Sequence, residues 1–134
     1  MLPENVRALL RDHLTSFEAL ELLLLLRADA APAHAEALSR RAGIALDLVL
    51  PALAALESSQ LIRRSALVPP TFRFAPATGD LARAVEDLER LYRDQRAAVM
   101  GEMSVNAISR IRSGTLRAFS DAFLIGKKKG DAER

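Results

Sequence analysis

Ala35-Glu36-Ala37-Leu38-Ser39-Arg40-Arg41-Ala42-Gly43-Ile44 is the stretch on which the reading of this chain turns. Residues up to Arg41 are mostly good helix formers, and Gly43 stands where a left-handed turn is needed, a conformation glycine adopts without steric cost. Beyond the turn, Val49, Leu53 and Leu56 recur at helical spacing. The stretch therefore predicts one helix over about 33–41, a tight turn, and a second helix over about 45–59, whose outward side is itself aliphatic.

Upstream, Thr15-Ser16-Phe17-Glu18 has the form of a capping box, with Thr15 as N-cap. The helix it opens runs to about Ala28. Leu20 and the run Leu22 to Leu26 make it apolar nearly all round, which predicts the central buried helix. Before it, Val6, Leu9, Leu10, His13 and Leu14 fall on one stripe of a short helix over 3–14, with Pro3 suited to a first turn.

Downstream the period changes from helical to alternating. Residues 61–67 and 71–74 read as two short strands separated by Val68-Pro69-Pro70, a two-stranded hairpin. From Leu81 the helical period returns. Leu81, Val85, Leu88, Tyr92, Gln95 and Val99 form a heptad-like seam. Gly101 and Ser104 predict a break. A last helix over 105–125 carries Ile108, Ile111, Thr115, Phe119 and Phe123 on one side. Gly126 predicts its stop, and 127–134 a basic disordered tail.

Composition excludes several classes of function. There is no cysteine, so disulfides, thiolate zinc sites and cysteine nucleophiles are ruled out. His13 and His34 are the only histidines, too few to build a metal site with their neighbours. The six glycines are dispersed and form no phosphate-binding loop, and no pair of carboxylates is arranged for acid–base work. We expect no enzyme, no cofactor and no metal. The Leu22–Leu26 run is far shorter than a bilayer span and no secretory signal is visible, so the expectation is a cytoplasmic protein. Nineteen basic residues include three lysines, all at 127–129, an arginine bias that suggests a GC-rich bacterial genome.

The order of elements over residues 16–76, with the Ala35–Ile44 stretch and the core positions Val49, Leu53, Leu56, Leu61 and Ile62, resembles the winged helix-turn-helix, specifically the MarR-like transcriptional regulators. The resemblance implies a mainly α fold divided into an N-terminal helical arm (1–14), a winged-helix module (15–79), a C-terminal dimerisation arm (80–126) and the tail. It also implies a homodimer, with Leu81, Val85, Leu88, Tyr92, Val99, Ile108 and Phe119 as the dimer seam.

The chain departs from that group where duplex DNA would be read. Base edges and phosphates are held by hydrogen bonds and charge. Here the outward positions of the recognition helix are Leu46, Asp47, Leu48, Leu50, Pro51, Ala54 and Ala55, none able to donate to a phosphate. Residues 15–76 carry six basic and six acidic side chains, so the module is neutral. Arg40, Arg41, Arg63, Arg64 and Arg73 are the candidate DNA contacts. The Leu46, Leu48 and Leu50 patch is expected to pack either on another chain or on this chain's own C-terminal helix, and the leading expectation is a regulator whose recognition helix meets a protein. One alternative is a direct DNA-binding repressor using the five arginines. Another is a membrane-surface or scaffold adaptor using the basic amphipathic C-terminal helix; membrane attachment is the less favoured reading.

Overall fold

α2 (Phe17–Ala28) is the helix around which the others pack. Ala19, Leu20, Leu22, Leu23 and Leu26 are buried, and Leu24 and Leu25 lie partly buried against the same core, so almost its whole circumference is apolar and covered. These contacts come from a computed structural model that describes the backbone of residues 2–132 and the side chains of residues 2–115. The cap of α2 corrects the sequence reading by one residue. Ser16, not Thr15, is the N-cap: its Oγ accepts a hydrogen bond from the Ala19 amide at 3.1 Å, while Thr15 is exposed.

The elements follow in the order α1 (Glu4–Asp12), α2, β1 (Ala33–His34), α3 (Ala35–Ala42), α4 (Leu46–Ser58), β2 (Ile62–Arg64), β3 (Thr71–Phe74), α5 (Gly79–Asp94) and α6 (Arg96–Ala132). The α3–α4 turn is built as its residues require. Gly43 has φ +69°, its amide donates to the Ser39 carbonyl at 3.0 Å, and the Ser39 hydroxyl donates to the Ile44 carbonyl. α4 buries Val49, Ala52, Leu53 and Leu56. It begins at Leu46 although Pro51 lies inside it. The proline removes one helical hydrogen bond, whose acceptor would be the carbonyl of Asp47, a residue on the exposed side of the helix.

The wing is a correction to the expected two-stranded hairpin. The sheet has three antiparallel strands in the order β1-β3-β2. Ala33 pairs with Phe72 and His34 with Thr71, so the first helix of the motif starts at Ala35 rather than Ala33. Ala33 is buried, and His34 Nδ1 lies 3.0 Å from the Pro70 carbonyl oxygen, which ties the short strand to the wing. β2 is three residues long instead of the seven expected. The Ser65 hydroxyl accepts from the amides of Leu67 and Thr71, which diverts the chain into a loop.

The helices outside the module share its core. Val6, Leu9 and Leu10 of α1, Ala84, Val85 and Leu88 of α5, and Val99 and Met103 of α6 belong to the same buried cluster as α2 and α4. The expected break at Gly101 to Ser104 does not occur; the helices part at Gln95, and α6 continues through both residues and past Gly126 to Ala132. One glycine costs a helix only about 1 kcal/mol, and Val99 and Met103, on either side of Gly101, are anchored in the core. At the α5–α6 junction the Tyr92 hydroxyl donates to Glu21 Oε1 at 2.7 Å, and the Arg96 guanidinium lies 4.8 Å from the Tyr92 ring centre. Arg27 pairs with Glu89 beside it, so α2 and α5 are joined by polar as well as apolar contacts.

Two outcomes follow. Leu23→Ala, in the middle of α2, lowers unfolding stability by about 2–5 kcal/mol in denaturant titration, whereas a loss below about 1 kcal/mol would contradict the core placement. The Tyr92 phenol is raised above its usual value of 10.0, first by burial and then by the hydrogen bond to the Glu21 carboxylate. Because the folded state holds this proton more tightly, its contribution to stability is complete below pH 10 and is lost as pH rises through the folded value. Tyr92 is the single tyrosine and the chain has no tryptophan, so phenolate absorbance reads this group alone; the midpoint moves down on unfolding.

Candidate functional site

With Val49, Ala52, Leu53 and Leu56 turned inward, the remaining side of α4 points out. Leu46, Leu48 and Leu50 are 37, 48 and 51 % exposed, and Asp47, Pro51 and Ala54 are exposed beside them. Among the described residues, α1, α5 and α6 pack on one another and share the core cluster with α2, and none of them packs extensively on α4. It is one wall of a groove of about 540 Å³. Leu46, Leu50, Leu53 and Ala54 form the α4 wall, the first turn of α3 closes one side, and Pro69, Pro70 and Phe72 of the wing close the other.

The wing contributes a feature that the sequence reading passed over. Leu67 and Val68, at its tip, are 62 and 96 % exposed. Both elements that project from the module are therefore tipped with aliphatic side chains. The signal lies in Leu67-Val68-Pro69-Pro70, which interrupts the strands and also presents two aliphatic side chains to solvent.

The five arginines do not form one patch. Arg41 is held by Asp29 at 3.2 Å and Arg64 by Glu57 at 2.9 Å, so two are already paired with carboxylates. Arg64 also lies over the Phe72 ring, 5.8 Å from its centre. Arg63 and Arg73 face each other across β2 and β3 on the side of the sheet opposite Ile62 and Phe72. Arg40, Arg63 and Arg73 have no acidic partner among the described residues. Like charges directly opposite across a sheet repel, so the Arg63–Arg73 pair is the part of the module best suited to an anion.

The residues expected in a dimer seam divide. Val85, Leu88 and Val99 are fully buried inside the single chain, and Leu81 and Tyr92 are half-buried against the same core. Ile108 is 51 % exposed on α6, in line with Val105 and Ile111, which are also exposed. Phe119 and the basic residues beyond it lie outside the described side chains. Among the described residues no group of three metal-ligating side chains occurs, and no helix is long and apolar enough to cross a membrane.

Neither a protein-family model nor a curated protein matches the sequence. Solved structures match its fold. A homodimeric winged helix-turn-helix DNA-binding domain, Mb0332 from Mycobacterium bovis, described as a possible ArsR-family transcriptional regulator, superposes with a TM-score of 0.51 at 22 % identity, over 66 % of this chain and 79 % of its own. RV1404 from Mycobacterium tuberculosis superposes with a TM-score of 0.51 at 17 % identity, over 87 % and 78 %. A MarR-family transcriptional regulator from Silicibacter pomeroyi gives 0.46 at 22 % identity, over 92 % and 78 %. The first establishes that this chain has the winged-helix fold.

If the outward leucines of α4 serve a surface and not the core, they are dispensable for folding. Leu46→Ser and Leu50→Ser change unfolding stability by no more than about 0.5 kcal/mol, while Leu53→Ala, two-thirds of the way along α4 and buried, costs about 2–5 kcal/mol. Thermal melts of the three variants check this; comparable losses in all three would show that the outward face is structural.

Proposed function

We propose that this chain is a non-enzymatic winged-helix regulator, acting as a homodimer, that engages its partner through α4 and the wing as a protein-contact surface. The observation that carries the reading is the exposure of Leu46, Leu48 and Leu50 on the helix that, in winged-helix DNA-binding proteins, lies in the major groove. An aliphatic face offers a base edge no hydrogen bond and a phosphate no charge. Removing such a face from water against another protein is favourable, at about 25 cal/mol per Å² of apolar surface. The homodimer is supported by the exposed Val105, Ile108 and Ile111 stripe on α6, which follows Met103, the last buried residue among the described side chains of that helix.

A second reading has one observation in its favour. Arg63 and Arg73 stand opposite each other on the wing with no acidic partner among the described residues. This pair would meet the phosphates of duplex DNA, and the fold matches that of a domain from Mycobacterium bovis described as DNA-binding. Its affinity would then rest on charge alone.

Titration of random-sequence duplex DNA against salt separates the two. The protein-contact reading expects no measurable binding at low salt. Tight binding whose logarithm falls steeply with the logarithm of salt concentration, and which Arg63→Ala and Arg73→Ala weaken, would establish the second reading instead.

A further inference from the structure

We infer that Met103 is an oxidation-sensitive joint of α6. Hydrogen peroxide reaches its thioether in the folded protein, and the sulfoxide so formed loosens α6 from α1 and from the start of α2. The inference goes beyond the partner-binding reading and does not depend on it.

The sulfur of this chain is concentrated in one place. There is no cysteine, and of the three methionines Met100 and Met103 stand on adjacent turns of α6. Met1 lies outside the described residues. Met103 is 8 % exposed and belongs to the core cluster, whereas Met100 is 38 % exposed. Burial ordinarily shields a methionine from oxidants. Met103, however, borders a cavity of about 190 Å³ that opens to solvent between α6 and the turn into α2, lined by Thr15, Phe17, Met100, Met103, Ser104 and Ala107. A water molecule takes up about 30 Å³ in the liquid, and peroxide is little larger, so the oxidant enters without unfolding.

This stretch of α6 depends on Met103. No described side chain of the helix after it is buried. The polar links nearby are exposed: the Arg7 guanidinium donates to Glu102 at 3.3 Å, and that of Arg110 to the Thr15 carbonyl at 2.9 Å. Exposed links of this kind contribute little. A sulfoxide turns the apolar thioether into a strongly polar group. Kept in the core, that group loses the hydrogen bonds it has in water, and its burial becomes costly. Thr15 and Ser104 stand at the exposed rim of the cavity. Their hydroxyls, or water, satisfy the sulfoxide only when Met103 turns outward, which removes its contact from the core.

The step balances with peroxide alone. A sulfur lone pair attacks one peroxide oxygen, the O–O bond breaks, an S–O bond forms, and the second oxygen leaves as water. The thioether loses two electrons and the peroxide gains them. Methionine sulfoxide reductases reverse the change, which separates a joint of this kind from irreversible damage.

The test treats the full chain with dilute hydrogen peroxide and locates the added oxygen by fragmentation of its peptides. Met100 is oxidised first, and Met103 follows in the folded protein at no less than about a tenth of that rate. Once Met103 carries oxygen, the melting temperature falls by about 5 °C or more. Amides of residues 99–112 then exchange at least about tenfold faster, while those of residues 49–56 in α4 keep their protection. A methionine sulfoxide reductase restores the melting temperature. Exchange of methionine for leucine conserves core volume, so both single variants fold. Met100→Leu retains the whole response. Met103→Leu, still oxidised at Met100 and still carrying Met1, loses it.

A Met103 that gains oxygen only in denaturant overturns the proposal, as does an oxidised Met103 with an unchanged melting temperature. A response that survives Met103→Leu assigns the effect to another residue and overturns it equally. So does faster exchange that spreads in the same degree to α4, since that is a general loss of stability and not the release of one helix.

Discussion

α4 lies against α2 through Val49, Ala52, Leu53 and Leu56, and most of what is distinctive in this protein follows from that contact. α2 is apolar around nearly its whole circumference and has to be covered on every side. α3, α4 and β3 pack directly on it, and the remaining cover comes from the core cluster it shares with α1, α5 and α6. Once α4 is fixed by its inner residues, helical geometry sets the direction of the others. Leu46 and Leu50 turn to the groove, and Leu48 turns to solvent. The same burial that completes the core therefore creates an aliphatic surface outside it, on a helix too rich in leucine to be satisfied by one contact.

Charge has a secondary part because most of it is neutralised locally. Arg41 is joined to Asp29, Arg64 to Glu57, Arg27 to Glu89 and Arg7 to Glu102. Exposed pairs of this kind add little stability, about 0–1 kcal/mol each. Their larger effect is to remove arginines from the supply available to a polyanion. Within residues 15–79, what remains is the Arg63–Arg73 pair on one side of the wing and Arg40 at the groove. These point to different surfaces, which is why a single basic face does not form.

Much of this was legible in the chain itself, for definable reasons. The leucine run of α2, the Gly43 turn and the inner face of α4 are local patterns, and they settle the module and the side of α4 that faces out. The errors came where a tertiary contact outweighs a local signal. Ala33 and His34 look like the start of a helix, but Phe72 and Thr71 offer them strand partners about forty residues away in sequence. Gly101 looks like a break, but burial of Val99 and Met103 carries the helix through it. The fate of the Leu81–Val99 seam was not readable at all. A heptad pattern does not say whether it closes on its own chain, and here α1 meets Val85, Leu88 and Val99 from within. The apolar wing tip was readable in composition but not in placement, since only the fold brings Pro69 and Pro70 opposite Leu46 and Leu50.

The account stands on the outward leucines of α4 being wet when the protein is alone in solution, whatever its oligomeric state. Methyl NMR with a soluble paramagnetic agent measures this directly. The methyl signals of Leu46, Leu48 and Leu50 should be strongly broadened by the agent, together with those of exposed Leu67, while those of Leu20, Leu23 and Leu56 stay sharp. If the three α4 leucines are as protected as the core, the surface described here is an interior one and the account fails.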